Sequence, residues 1–186
     1  MRLTVPVLHD DTIMLRPPEA GDAAAITAAV QDPDIPRFTM VPSPYTVDDA
    51  GAYLEGCAAR WSSGDAAPFV ITDGATGTLL GSIGLHDLGV AMTGPNVGYW
   101  VAAEARGRGV ATRALRLIAR WALEDLALAR LELYVFVEND RSQRVAARAG
   151  FNRERIRTFV DHPTRRRELV VFSRTAVAGL PATTTP

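Results

Sequence analysis

The stretch Asn96-Val-Gly-Tyr-Trp-Val-Ala-Ala-Glu-Ala-Arg-Gly-Arg-Gly-Val-Ala-Thr112 decides how the rest of the chain is read. Residues 97–101 are apolar and β-favouring, as in a strand. Gly107 and Gly109 then mark a short loop, and residues 108–126 carry Leu115, Ile118, Ala119, Ala122 and Leu126 at helical spacing. A strand therefore runs through a glycine loop into a long helix. The first turn of a helix has backbone N–H groups without partners and the positive end of the dipole. Glycines ahead of such a turn let a bulky anion reach the backbone. Arg106 and Arg108 add charge, Val110 and Ala111 follow on the first turn, and Thr112 offers a hydroxyl. A pyrophosphate fits this arrangement. On its own the stretch reads equally as an ordinary helix start softened by glycine. It does not meet the dinucleotide fingerprint, because the glycine spacing differs and the helix does not follow the first strand.

Working outward, the chain has 186 residues, 47% of them hydrophobic, with a formal net charge of -1. That is the length of one domain, and such a chain buries roughly 70% of its unfolded surface without staples. The single cysteine, Cys57, excludes an internal disulfide and any multi-cysteine metal site. All twenty basic residues are Arg. The lack of Lys removes a Lys nucleophile, a Schiff base and the phosphate loop that ends in Lys-Ser/Thr. Balanced charge argues against a duplex-DNA partner. No stretch has the layout of a signal peptide or the length of a membrane span, so a soluble, cytoplasmic protein is expected, with no metal.

The remaining elements alternate. Residues 12–16 read as a strand, and Asp22 as the cap of an Ala-rich helix over 22–30. Pro33, Pro36, Pro42 and Pro44 predict a loop holding Phe38, Met40 and Tyr45. Thr46 and Asp49 have capping-box spacing at the head of a helix to about residue 62. Strands are expected at 68–72, 79–85 and 131–137, a helix at 142–149, and a hairpin with arms 156–160 and 168–172. The layout is an arm at 1–11, one domain at 12–174 and a tail at 175–186. Its fold class is α/β or α+β, built on a single mixed sheet.

Four motifs in order carry a family resemblance. Arg106-x-x-Gly109-x-Ala111 resembles the acetyl-CoA-binding motif of the GNAT acyltransferases. Gly98-Tyr-Trp100 precedes it; Val137-Glu-Asn139-x-x-Ser142 and Ala149-Gly-Phe151 follow. With Leu15-Arg16-Pro17 and Asp22, the chain looks most like the RimJ/RimL branch of ribosomal-protein alanine acetyltransferases. The resemblance implies a mostly antiparallel sheet splayed between its fourth and fifth strands and flanked by about four helices. It also implies acetyl-CoA as co-substrate, with the pantetheine arm along strand 97–101. Trp100, Val101 and Ala103 would offer it backbone groups, residues 107–111 would hold the diphosphate, and Asn139 would touch the arm. Asn139 reads equally as a helix cap.

Transfer to an amine needs a neutral nucleophile, a donor for the oxyanion and a hydrogen bond for the departing thiolate. The resemblance gives the oxyanion to the N–H of Val101. Many relatives place a Tyr four residues before the Gly-Phe pair as the acid; here Ala146 stands there, and Ser142 matches the branch pattern instead. Ser142 also suits a helix cap. His86 is the preferred base, ahead of Asp87, Glu104 and His162, although a surface His at a strand end explains it too. Tyr99 faces either the cleft or the core. Arg165-Arg-Arg167 reads as a solvated hairpin tip rather than a clamp on an acidic substrate. The expected partner is an amine-bearing acceptor, a protein N-terminus or a small molecule, held by residues 33–45 and the final hairpin. A homodimer through the Phe159 region is also expected. The alternative function is a non-catalytic or regulatory acyl-CoA-binding module.

Overall fold

A computed structural model describes residues 5–88, 94–162 and 165–176. One eight-stranded sheet runs through it, in the order β1-β2-β3-β4-β5-β6-β8-β7. Its strands are β1 (Leu8–His9), β2 (Ile13–Arg16), β3 (Ala67–Asp73), β4 (Leu79–His86), β5 (Asn96–Val101), β6 (Arg130–Phe136), β7 (Asn152–His162) and β8 (Arg165–Thr175). Neighbours pair antiparallel except β5 and β6, which run parallel. The helices are α1 (Ala23–Ala29), α2 (Asp34–Phe38), α3 (Val47–Ser63), α4 (Val110–Arg120) and α5 (Asp140–Arg148).

Alternation along the strands sends side chains to two cores. Ile83, Leu85, Val97, Leu133 and Val135 meet Leu115 and Ile118 of α4 and Ala146 of α5. On the opposite face Val70 meets Ile26 of α1, Ile35 of α2 and Ala50 of α3. The capping box at Thr46 and Asp49 forms as expected, and Gly64 closes α3 in the left-handed region at φ 77°. Beyond Arg120 the helix widens into a π-helical turn, Trp121–Asp125, with the N–H of Leu126 donating to the carbonyl of Trp121 at 3.0 Å. Among the described residues no helix is long and apolar enough to cross a membrane.

Several elements differ from the sequence reading. Part of the N-terminal arm joins the sheet, because Leu8 and His9 pair with Leu15 and Met14. The tail beyond residue 176 lies outside the described residues. The proline-rich segment contains α2: Pro36 is tolerated there because a helix needs no N–H donor in its first turn. Asp22 does not cap α1 with its side chain. Its carboxylate instead takes both guanidinium nitrogens of Arg16, at 2.8 and 2.7 Å, and the N–H of Glu19 at 2.8 Å. The final hairpin is longer than expected, with arms of 11 residues each.

The junction of β5 and β6 positions the site. Only Asn96 and Val97 pair with β6, opposite Glu132 and Leu133. From Gly98 onward β5 makes no further pairs with β6. Although β5 lies in the middle of the sheet, only Val97 of its six residues is buried. The sheet is splayed at the two strands where the resemblance puts the opening.

Candidate active site

A cavity of about 1760 Å³ occupies the splay. Its walls include Val97, Tyr99 and Val101 together with Gly98 and Trp100, and Leu133 and Val135 together with Tyr134 and Phe136. Successive residues of a strand point to opposite faces. Both sets can line one cavity only where it passes around a free strand edge, so this cavity runs through the sheet from one face to the other.

At one end stands the start of α4. Gly107 and Gly109 have φ of 75° and 79°, and space for 4 Å around a notional Cβ at either one is open. No side chain caps α4. Its first amides are therefore directed to an open, side-chain-free concavity, which fits a diphosphate. Gly107, Gly109, Val110, Ala111 and Thr112 all line the cavity. Arg106 lines it too, but its charge is already engaged. Its guanidinium holds Asp32 at 2.9 and 3.1 Å, and its Nε donates to the carbonyl of Val101 at 3.2 Å. This ion pair ties the segment between α1 and α2 to the end of β5, and Arg106 keeps the Asp32 carboxyl below its ordinary pKa. Arg108 points away, nearest to Asp73 at 3.9 Å, and neither it nor Ala103 joins the wall.

The open edge of β5 follows from its hydrogen bonds. The N–H of Ala102 donates to Leu80 on β4 at 2.9 Å. Alternation then turns the N–H of Val101 and of Tyr99 toward the splay. The Trp100 carbonyl faces β4, where it leaves no room for a Cβ on Gly81. Backbone groups for an added strand thus come from Tyr99 and Val101, not from Trp100, whose side chain contributes to the opposite face.

Across the splay, the side-chain oxygen of Asn139 accepts the N–H of Ser142 at 3.1 Å. Asn139 is the cap of α5, and its amide nitrogen has no protein partner among the described residues. The Ser142 hydroxyl is free of capping and lies 2.8 Å from the hydroxyl of Tyr99. Burial pushes the Tyr99 phenol up to about 12, against the smaller effect of Ser142, so it stays protonated. Two hydroxyls that share one hydrogen bond leave one O–H to donate elsewhere. The sequence reading missed this pair. The usable signal was alternation from Val97, a core residue, which puts Tyr99 on the same face.

His86 lies at the other end of the cavity. Its Nε2 stands 3.4 Å from a notional Cβ of Gly98 and 3.7 Å from one of Gly84, so the ring rests on a glycine pair. His86 is exposed at the strand end, and the packing of its ring on the sheet desolvates it in part. That desolvation lowers the His86 pKa from its ordinary value; Asp87 raises it and Arg60 lowers it further. The Asp87 side chain accepts from Asn96 at 2.9 Å. His162 has no described side chain, and Glu104 is exposed outside the wall. Arg167 is no solvated tip: its side chain is only 11% exposed and bonds Glu138 at 2.6 Å. Phe159 meets Phe136 edge-on, with ring centres 6.3 Å apart, and lines the cavity.

This through-sheet cavity, its uncapped helix start and its free strand edge are the marks of an acyl-CoA-dependent transferase. The acetyltransferase (GNAT) domain family matches residues 12–152, and the chain belongs to that family. Among curated relatives, the uncharacterised N-acetyltransferase YoaA of Bacillus subtilis is 26% identical over 149 residues, covering 80% of this chain and 84% of YoaA. RimJ of Mycobacterium smegmatis, solved with CoA-disulfide, superposes with a TM-score of 0.79 at 25% identity, over 94% of this chain and 88% of RimJ. The ribosomal-protein-S5-alanine acetyltransferase of Vibrio fischeri shares the fold, with a TM-score of 0.77 at 18% identity over 95% of this chain and 100% of that one. The protein is an N-acetyltransferase of the GNAT class. Among the described residues no cluster of ligands suits a metal ion.

Proposed function

We propose that this enzyme transfers an acetyl group from acetyl-CoA to a primary amine, by direct attack with both substrates bound. The observation that carries this reading is the cavity passing through the sheet, with a backbone cradle at one end and ionisable side chains at the other. Two substrates entering from opposite faces meet at the free edge of β5. There the Val101 N–H is positioned for a developing oxyanion. The Tyr99–Ser142 pair supplies one O–H to the departing sulfur. A thiol of pKa near 8.5 is a modest leaving group, for which a hydrogen bond is sufficient assistance. His86, its pKa lowered by partial desolvation, takes the proton of the amine. The acceptor is a protein N-terminus or a small amine, with the cytoplasm as place of action.

Ala146, standing where many relatives place the acid Tyr, favours a non-catalytic CoA-binding module. A hydroxyl from β5 answers that objection, since Tyr99 reaches the site from a different element. Free-thiol release from acetyl-CoA, followed with a panel of amines and peptide N-termini, tests the proposal. Amine-dependent release with acetylated product supports it. CoA binding without turnover of any amine would return the module reading.

A further inference from the structure

Beyond His86, the acceptor end of the cavity has a chemical character of its own. Its floor is aromatic: Phe38 and Phe136 lie 6.5 Å apart, and Phe159 is next to Phe136. Guanidinium groups stack on this floor. Arg37 sits 4.8 Å from the centre of the Phe38 ring, Arg157 5.6 Å from that of Tyr134, and Arg167 3.3 Å from that of Phe136.

The three arginines do not play the same part. Arg167 bonds Glu138 and donates to the carbonyl of Arg37 at 2.9 Å, which fixes α2 against β8. Arg37 and Arg157 are exposed, line the cavity and form no ion pair among the described residues. Arg157 has only a 3.5 Å contact with the hydroxyl of Tyr134. Glu138, held by Arg167, is also the carboxylate that Arg37 influences. Asp34, the single acid of α2, is shared by Arg106 and Arg141 at 3.6 Å each. Glu138 thus answers Arg167 directly and Arg37 at longer range, and Arg157 has no carboxylate partner among the described residues. Positive charge is in excess on a wall built for the acceptor, and aromatic stacking holds each fork in a fixed plane.

We propose that Arg37 and Arg157 clamp an anionic group, a carboxylate or a phosphate, that the acceptor carries away from its reacting amine. This rests on the acetyltransferase reading of the same cavity and names the class of acceptor. Planar guanidinium forks with no carboxylate partner among the described residues match either anion bidentately. The aromatic floor between them takes the apolar body of the acceptor.

The test compares matched acceptors at saturating acetyl-CoA. The probes are the amidated peptides Ala-Glu-Glu-Glu-Ala-Ala and Ala-Gln-Gln-Gln-Ala-Ala, and the pair 3-aminopropyl phosphate and 3-aminopropanol. The acidic member of at least one pair should have a kcat/KM about tenfold or more above its neutral partner, mainly through KM. Which pair shows the preference distinguishes carboxylate from phosphate. Arg37→Gln and Arg157→Gln should each collapse that ratio, Arg157→Lys should restore part of it, and added salt should lower it. Binding of the already acetylated acidic and neutral probes to CoA-loaded protein, by calorimetry, judges the clamp without turnover. Equal binding and equal kcat/KM within both pairs would overturn the clamp and leave the acetyltransferase reading intact. Selective binding without turnover of any amine would keep the clamp and remove that reading.

Discussion

The starts of α4 and α5 face the same cavity and solve the same problem in opposite ways. α4 begins at Gly109 in the left-handed region, with no side chain across its first turn. α5 begins at Asn139, whose side chain takes the N–H of Ser142. A helix start left uncapped and open keeps its donors for a ligand; a capped start has used one and contributes side chains instead. Under the proposed function, the cofactor end of the site would be made by backbone, and its reacting centre by hydroxyl and imidazole groups set around it.

The most damaging change should be at the uncapped start. Gly109→Asp places a carboxylate in the diphosphate concavity, and calorimetry with acetyl-CoA should show binding reduced beyond detection in a folded protein. Asp tolerates a positive φ better than most residues, so circular dichroism should report the native fold. Unchanged affinity would break the comparison at its first term.

The capped start is probed by its free hydroxyl. Ser142→Ala should lower kcat about 100-fold, the low end of general-acid assistance, with the acetyl-CoA KM little changed. Tyr99→Phe should act in the same direction, and the double variant should be no worse than the more damaging single one, because the two hydroxyls act as a unit. Thermal stability should barely move in Ser142→Ala, since the cap of α5 belongs to Asn139.

A smaller effect is expected at His86. With its pKa lowered by burial, kcat/KM should rise with pH through a limb below the His reference of about 6.5, as the ring loses its proton. An acceptor amine of low pKa keeps its own titration out of that range. His86→Ala should abolish the limb; a limb that survives would give the proton to Asp87 or to water. Smallest of all, Asn139→Ala should cost about 1 kcal/mol of stability, read by denaturant unfolding, by removing the cap that α4 does without.

What the sequence determined by itself is the backbone-built half. Gly107, Gly109 and the apolar spacing after them mark an open helix start, because positive φ and a missing Cβ restrict residue choice strongly. Thr46 with Asp49 fixed the head of α3 in the same way, through a local bond across three residues. The splayed sheet was implied by the family resemblance that the four motifs carry, not by their spacing. Only the tertiary structure decided the side-chain half. Arg106 lies 74 positions from Asp32, Ser142 43 from Tyr99, and Arg167 29 from Glu138. Each of these pairings selects one partner from many residues of the same type, and no local pattern records the selection. Arg106 has the same charge whether it faces a diphosphate or Asp32. It is the close approach of the segment between α1 and α2 to the end of β5 that assigns its partner, since a guanidinium half-removed from water takes the nearest carboxylate.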